Sequence, residues 1–150
     1  MSEHKNTAFD NFILSYRDIV KHANALSVPV WVENLAAFEN HYPFSNMLSS
    51  IECFKQLKKI DHTVDIIFDI GHFNLSGNNH SHFFEEFLNN IRAVSLSDND
   101  SIRDMHASLG AGNIDWKKIK KYLSKNWQGV FVFETKSQDI LEDKKYFKNT

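Results

Sequence analysis

Four short apolar runs constrain what this chain can fold into: VPVWVENL (28–35), VDIIFDIGH (64–72), AVSLSDND (93–100) and GVFVFET (129–135). They are nearly continuous rather than alternating, the pattern of strands buried on both faces. The stretches between them read as helices. Residues 8–26 place Phe9, Phe12, Ile13, Tyr16, Ile19, Val20 and Ala23 at three- and four-residue steps. Pro29 ends that helix, because proline disfavours helical backbone in the residue before it. Residues 45–60 form a second helix, with Ser45 a candidate N-cap and lysines in the last turn, where they suit the helix dipole. Helices at 81–91, 115–125 and 137–147 complete an α-β-α-β-α-β-α-β-α order. The strands begin at residues 28, 64, 93 and 129, so each interval leaves room for a helical crossover. Parallel pairing with right-handed crossovers follows. The expected class is α/β, in one domain over residues 1–150.

Composition narrows the chemistry. Seventeen basic residues against nineteen acidic ones give a net charge of −2, so no whole-molecule basic field favours nucleic acid. The lone Cys53 cannot form an internal disulfide, which points to a reducing, cytoplasmic setting. No apolar run approaches the roughly 20 residues of a membrane span, and the start MSEHKNTAFD lacks the apolar stretch of a secretory signal.

The strand ends carry the polar residues. Glu33 closes the first run, Asp69 and His72 the second, Asp98 the third and Glu134 the fourth, with Asp104 and His106 in the loop after the third. In parallel α/β folds the carboxyl ends of the strands share the face where ligands bind. A carboxylate inside VWVENL or VFVFET is costly to bury unless it is paired, hydrogen-bonded or metal-bound. Bonds to lysines or backbone amides at the sheet rim are the plain alternative. Asp69 and His72 stand three apart beside Gly71, which lets the chain bend, and Asp104 and His106 stand two apart. Either pair alone is a weak signal. Oxygen and nitrogen donors without thiolate suit zinc, manganese, magnesium or iron equally.

Other features read as structure. His80 and His82 are expected to be exposed polar residues at a helix start. LGAGN (109–113) lacks the lysine of a P-loop and reads as a tight loop. Cys53 reads as a structural thiol, and Phe83, Phe84 and Phe87 as core.

The ordered set V-W-V-Glu33-Asn34-L, Asp69-I-G-His72, L-S-Asp98-N, Asp104-M-His106-A-S-L-G-A-G-N-I-D-W and V-F-Glu134-T resembles the xylose isomerase-like superfamily. That superfamily includes sugar-phosphate isomerases and epimerases and the endonuclease IV group of apurinic-site nucleases. The stretch 104–116 is the most specific part. The resemblance covers residues 8–135 and implies the C-terminal half of a TIM barrel, a (βα)4 unit whose strands are the barrel's fifth to eighth. By similarity, Glu33, Asp69 and Glu134 are three ligands of the shared divalent metal, which is zinc, manganese or magnesium. The two glutamates double as the epimerases' acid–base pair. His72 matches a substrate contact in isomerases and a ligand of a further zinc in nucleases, with Asp104 and His106 its companions. Ser95 departs from the pattern, standing where the family carries a metal-binding histidine.

These implications leave three readings. The first is a metal-dependent isomerase or epimerase acting on a small sugar or sugar phosphate. The second is a non-catalytic remnant or half-barrel subunit that acts through oligomerisation, as a homodimer or beside a partner chain supplying the other half. The third is an apurinic-site nuclease, which the net charge argues against. Bound metal favours the first, obligatory association the second, and nicking of abasic DNA the third.

Overall fold

The computed structural model describes residues 3–36, 48–123, 127–136 and 140–150. Its elements are α1 (Glu3–Ala25), β1 (Trp31–Glu33), α2 (Ile51–Ile60), β2 (Asp65–Asp69), α3 (Ile70–Leu75) and α4 (His80–Phe87). A single 3-10 turn (Leu88–Asn90) then leads to β3 (Ile91–Leu96), α5 (Trp116–Leu123), β4 (Val130–Phe133) and α6 (Ile140–Asn149). The four strands form one sheet in the order β1-β2-β3-β4, and every pair is parallel. Each strand lies beside its predecessor, the arrangement from which a parallel barrel is built.

Register assigns the two faces. Phe68 pairs with Val94 and Val94 with Phe131, while Asp69 pairs with Ser95 and Ser95 with Val132. Side chains alternate along a strand. Val32, Ile66, Phe68, Val94 and Leu96 therefore point one way, into a core shared with the helices. Phe68 stacks on Phe83 with ring centroids 4.1 Å apart, and Phe73, Phe84 and Phe54 pack edge-on around this pair. Each fully buried Phe contributes about 1.5–3 kcal/mol through apolar burial. The opposite face carries Trp31, Glu33, Asp69, Ser95, Val130 and Val132. Here Trp31, Val130 and Val132 remain 39%, 54% and 38% exposed.

Several boundaries differ from the sequence expectation. The second strand stops at Asp69 rather than His72, because the Asp69 side chain caps α3: Oδ1 accepts the His72 N–H at 2.6 Å. The helix expected over 45–60 starts at Ile51. Its N-cap is Ser50, whose hydroxyl accepts from Cys53 N; Ser45 lies outside the described residues. The helix expected to reach residue 91 gives way at Phe87 to the 3-10 turn, so β3 starts early and ends at Leu96. Residues 124–125 and 137–139, expected at the ends of the last two helices, also lie outside the described residues. Phe83, Phe84 and Phe87 are buried as expected. His80 is not an exposed polar residue: its ring packs against Phe68 and Phe73, and Nε2 donates to the Ile70 carbonyl at 3.1 Å. Among the described residues no helix is long and apolar enough to cross a membrane.

Candidate active site

Asp69 sits at the centre of the strand-end cluster. Its backbone is clamped by Asn34, whose side-chain amide donates to the Asp69 carbonyl at 2.9 Å and accepts the Asp69 N–H at 2.7 Å. Asn34 thus adds one more rung where β1 has ended. Asp69 is fully buried and Oδ1 serves the α3 cap, yet Oδ2 has no hydrogen-bond partner among the described residues. The nearest cationic candidate is His72 Nδ1, 3.5 Å away. Placing His72 in the first turn of α3, rather than on the strand, turns its ring back over Asp69.

Glu33, Asp69 and His72 can each offer a donor atom, and these atoms lie within 4.8 Å of one another. A second group, His72, Asp104 and His106, meets the same test and shares His72 with the first. His72 Nε2 lies 3.7 Å from Asp104 Oδ2, and His106 Nε2 lies 3.3 Å from Asp104 Oδ1. His106 Nδ1 donates to the Glu134 carbonyl at 2.8 Å. A carbonyl only accepts, so the Nδ1 proton is fixed and Nε2 is left as the free donor atom, the orientation metal-binding imidazoles need. His106 adopts φ 45°, a left-handed conformation uncommon outside glycine. Glu134 extends β4: its N–H bonds the Leu96 carbonyl at 3.0 Å.

Electrostatics tie these carboxylates together. Burial pushes the Glu33 carboxyl above its ordinary value, and the charges of Asp69 and Glu134 add to the shift, with His72 opposing. Burial also raises Asp69. His72 offsets this through its charge and its N–H, while Glu134 pushes further upward. Three acids gathered at low dielectric repel one another, and a bound cation relieves both the repulsion and the desolvation cost. The unpartnered Asp69 Oδ2, the mutual repulsion and two carboxylates beside an imidazole fit a divalent metal, which Glu33, Asp69 and His72 would hold. Glu134, expected as a third carboxylate ligand, belongs to neither group of converging donors and acts on the other two acids through its charge.

Asp98, the third strand-end acid, does not join the cluster. Its carboxylate is fully buried and accepts from Asn99 N, Gly110 N, Ile114 N and the Trp116 indole, the last at 2.8 Å. Asp98 and Ala107 also exchange both backbone hydrogen bonds, closing the loop that presents Asp104 and His106. Gly112 is required there, since a Cβ would fall 2.2 Å from both the Asn99 carbonyl and Asp98 Oδ1. LGAGN therefore wraps buried carboxylates: Gly110 N donates to Asp98, Leu109 N to Asp143 Oδ1 and Asn113 N to the Asn99 carbonyl. Asn34 and Asp98 are the positioning residues that spacing alone does not assign. Their only signal is a polar residue directly after an apolar run.

The sequence matches the family described as xylose isomerase-like TIM barrel over residues 2–150. An uncharacterized protein of Methanocaldococcus jannaschii is 28% identical in an alignment of 152 positions that covers 98% of this chain and 50% of that protein. The crystal structure of a D-tagatose 3-epimerase-like protein superposes with a TM-score of 0.78 at 27% identity, over 94% of this chain and 53% of that one. A 3-keto-D-glucoside 4-epimerase from E. coli, in its apo form, superposes with a TM-score of 0.67 at 19% identity, over 91% and 51%. This last likeness bears on the fold alone. The chain spans about half the length of the relatives it matches. With four parallel strands that superpose on part of such a structure and a match running from residue 2 to residue 150, the chain belongs to the xylose isomerase-like TIM barrel family.

Proposed function

We propose that this chain carries the acid–base and metal-binding part of a site for isomerising or epimerising a small sugar or sugar phosphate. One observation supports the reading above the rest: Glu33 and Asp69 converge with His72 at one end of a parallel sheet, electrostatically coupled to Glu134. The similarity to a D-tagatose 3-epimerase-like protein points the same way. A divalent cation held by Glu33 and Asp69, with Glu134 completing the set that the resemblance implies, would polarise a carbonyl–hydroxyl pair of the substrate. Glu33, whose carboxyl burial holds above its ordinary value, is the candidate base for the proton on the carbon next to the carbonyl. Glu134, on the opposite edge strand, is the candidate acid that returns a proton to the other face. His72 orients substrate oxygens, and its Nδ1 is held toward the Asn34 carbonyl at 3.4 Å. The single Cys53 suits a reducing cytoplasm. The test is exchange of the proton next to the carbonyl of ketoses and ketose phosphates in D2O with added Mn2+. Exchange is expected, with loss in Glu134→Gln; full exchange in that variant contradicts the reading.

The half-barrel reading keeps support of its own. Trp31, Val130 and Val132 leave an apolar inner face exposed, and β1 and β4 are edges among the described strands. An exposed apolar face between free edges favours association with a second four-stranded unit. Light scattering is expected to show self-association of the 150-residue chain, and a stable monomer contradicts it. The His72–Asp104–His106 group is what the nuclease reading rests on, and incubation with abasic duplex DNA is expected to give no nicking.

A further inference from the structure

Asp143 stands on α6, on the helical side of the sheet, yet its carboxylate holds the two segments that carry the far edge of the candidate site. It is 3% exposed, and each oxygen accepts one bond: Oδ1 from Leu109 N at 2.9 Å and Oδ2 from the Thr135 hydroxyl at 2.6 Å. Leu109 follows the loop that presents Asp104 and His106, and Thr135 follows Glu134. A buried carboxylate is costly unless its hydrogen bonds are made, so this one draws both segments onto α6. Gly110 reports the same close approach. It takes φ 86°, and a Cβ there would meet the Tyr146 ring at 2.5 Å. Phe147, the next residue of α6, packs edge-on against Trp116 and Phe131.

The bond to Thr135 bears on His106, which grips the residues on either side of it. His106 Nδ1 donates to the Glu134 carbonyl at 2.8 Å, and the His106 carbonyl accepts the Lys136 N–H at 2.7 Å. The Glu134 carbonyl lies in the same planar peptide unit as the Thr135 N–H, so fixing Thr135 fixes the direction of that carbonyl. By alternation the Thr135 side chain leaves the strand end on the α6 side and that of Glu134 on the site side. Asp104 Oδ1, 3.3 Å from His106 Nε2 and without a hydrogen-bond partner among the described residues, pulls the ring proton the other way. We propose that Asp143 is a positioning residue for the candidate site: from the outer side of the sheet it clamps Thr135 and Leu109, and so aims the Glu134 carbonyl that keeps the His106 proton on Nδ1 and leaves Nε2 free. Asp143 stands behind the site and acts through Thr135. The inference rests on the site reading above for its use and on hydrogen bonds alone for its geometry.

The test reads the His106 tautomer from imidazole nitrogen shifts of the metal-free 150-residue chain at about pH 9, where imidazoles are neutral. Wild type is expected to hold the proton on Nδ1. Asp143→Ala is expected to move it to Nε2, cutting the Nδ1–H fraction by about threefold or more, and to speed exchange of the Lys136 amide by about tenfold. Asp143→Asn keeps an acceptor for Leu109 N and an amide for the Thr135 hydroxyl, so it should return both readouts to within about twofold of wild type. Phe147→Leu is the control for a loosened α6: it leaves the Asp143 bonds in place and should leave the tautomer unchanged. The inference is overturned if wild type carries the proton on Nε2, if folded Asp143→Ala keeps it on Nδ1, or if Phe147→Leu shifts it as far. If circular dichroism shows that Asp143→Ala does not fold, Thr135→Val decides: it removes one bond of the clamp and must shift the proton the same way. Proton exchange from ketoses is a separate readout. Its absence in wild type, with the tautomer shift intact, fails the proposed chemistry and leaves the clamp standing; an unmoved tautomer with exchange present does the reverse.

Discussion

The two faces of the four-stranded sheet solve opposite problems. The outer face, through Phe68 and Val94, meets a cluster of Phe side chains from α2, α3 and α4 and is dry. The inner face sets Glu33, Asp69, Ser95 and Glu134 beside Trp31, Val130 and Val132, which stay exposed. One face gains free energy from packing; the other stores unfavourable charge and unpartnered oxygen. Stability and chemistry are thus divided between alternate residues of the same strands. Polar strain of this kind marks functional sites, because it persists only where the surrounding structure enforces it.

The largest effect is expected where the dry face is broken. Phe83→Ala removes the ring stacked on Phe68 and should cost about 3–5 kcal/mol in denaturant unfolding. A cost under about 1 kcal/mol would mean the outer cluster is not the source of stability. Asp98→Ala comes next. It strands the amides and indole that the carboxylate now satisfies, and should cost roughly 3 kcal/mol. It should also release the 99–106 loop, seen as faster amide exchange at Asp104 and His106. Unchanged exchange would detach Asp98 from the site.

A smaller effect concerns pH. Burial lowers His80 below its ordinary value of 6.5, with the Ile70 carbonyl opposing. Its charged form is therefore penalised in the folded chain. Stability is intact above the unfolded value and is lost as pH falls from there through the folded value. His80→Gln should flatten that segment of the stability–pH curve, and an unchanged slope would contradict the assignment. The smallest effect has the opposite sign. Glu33 is raised, so its contribution is present below the unfolded carboxyl value and lost as pH rises through the folded one. At neutral pH without metal, Glu33→Gln should stabilise the chain by less than about 1 kcal/mol. In wild type, Mn2+ should raise the melting temperature more than in the variant. Destabilisation of the metal-free variant would show that the inner face stores no strain at Glu33.

The outer face was readable from the sequence, because continuous apolar runs separated by amphipathic helices admit few other arrangements. The convergence of Glu33 and Asp69 followed from the same logic, since parallel strands bring their ends together. The boundaries near the site were less legible. Asp69 looks like an interior strand residue until its side chain is seen to cap α3, which moves His72 from strand to helix. Asp98 resembles the other strand-end acids, yet donors from residues 99–116 claim it, and no local pattern reports a partner that far along the chain. His80 reads as a polar helix start because a histidine among phenylalanines has no periodic signature. For Asp98 and His80 legibility failed because the side chain's partners come from further along the chain; for Asp69 it failed because a cap and a strand residue read alike.

The central claim is that the strand-end acids form one cation site. Crystals of the chain grown with Mn2+ and measured at the manganese absorption edge test it most directly. The account predicts an anomalous peak beside Asp69 Oδ2, bounded by Glu33 and Asp69. A peak held only by His72, Asp104 and His106, or no peak at a saturating Mn2+ concentration, would contradict it.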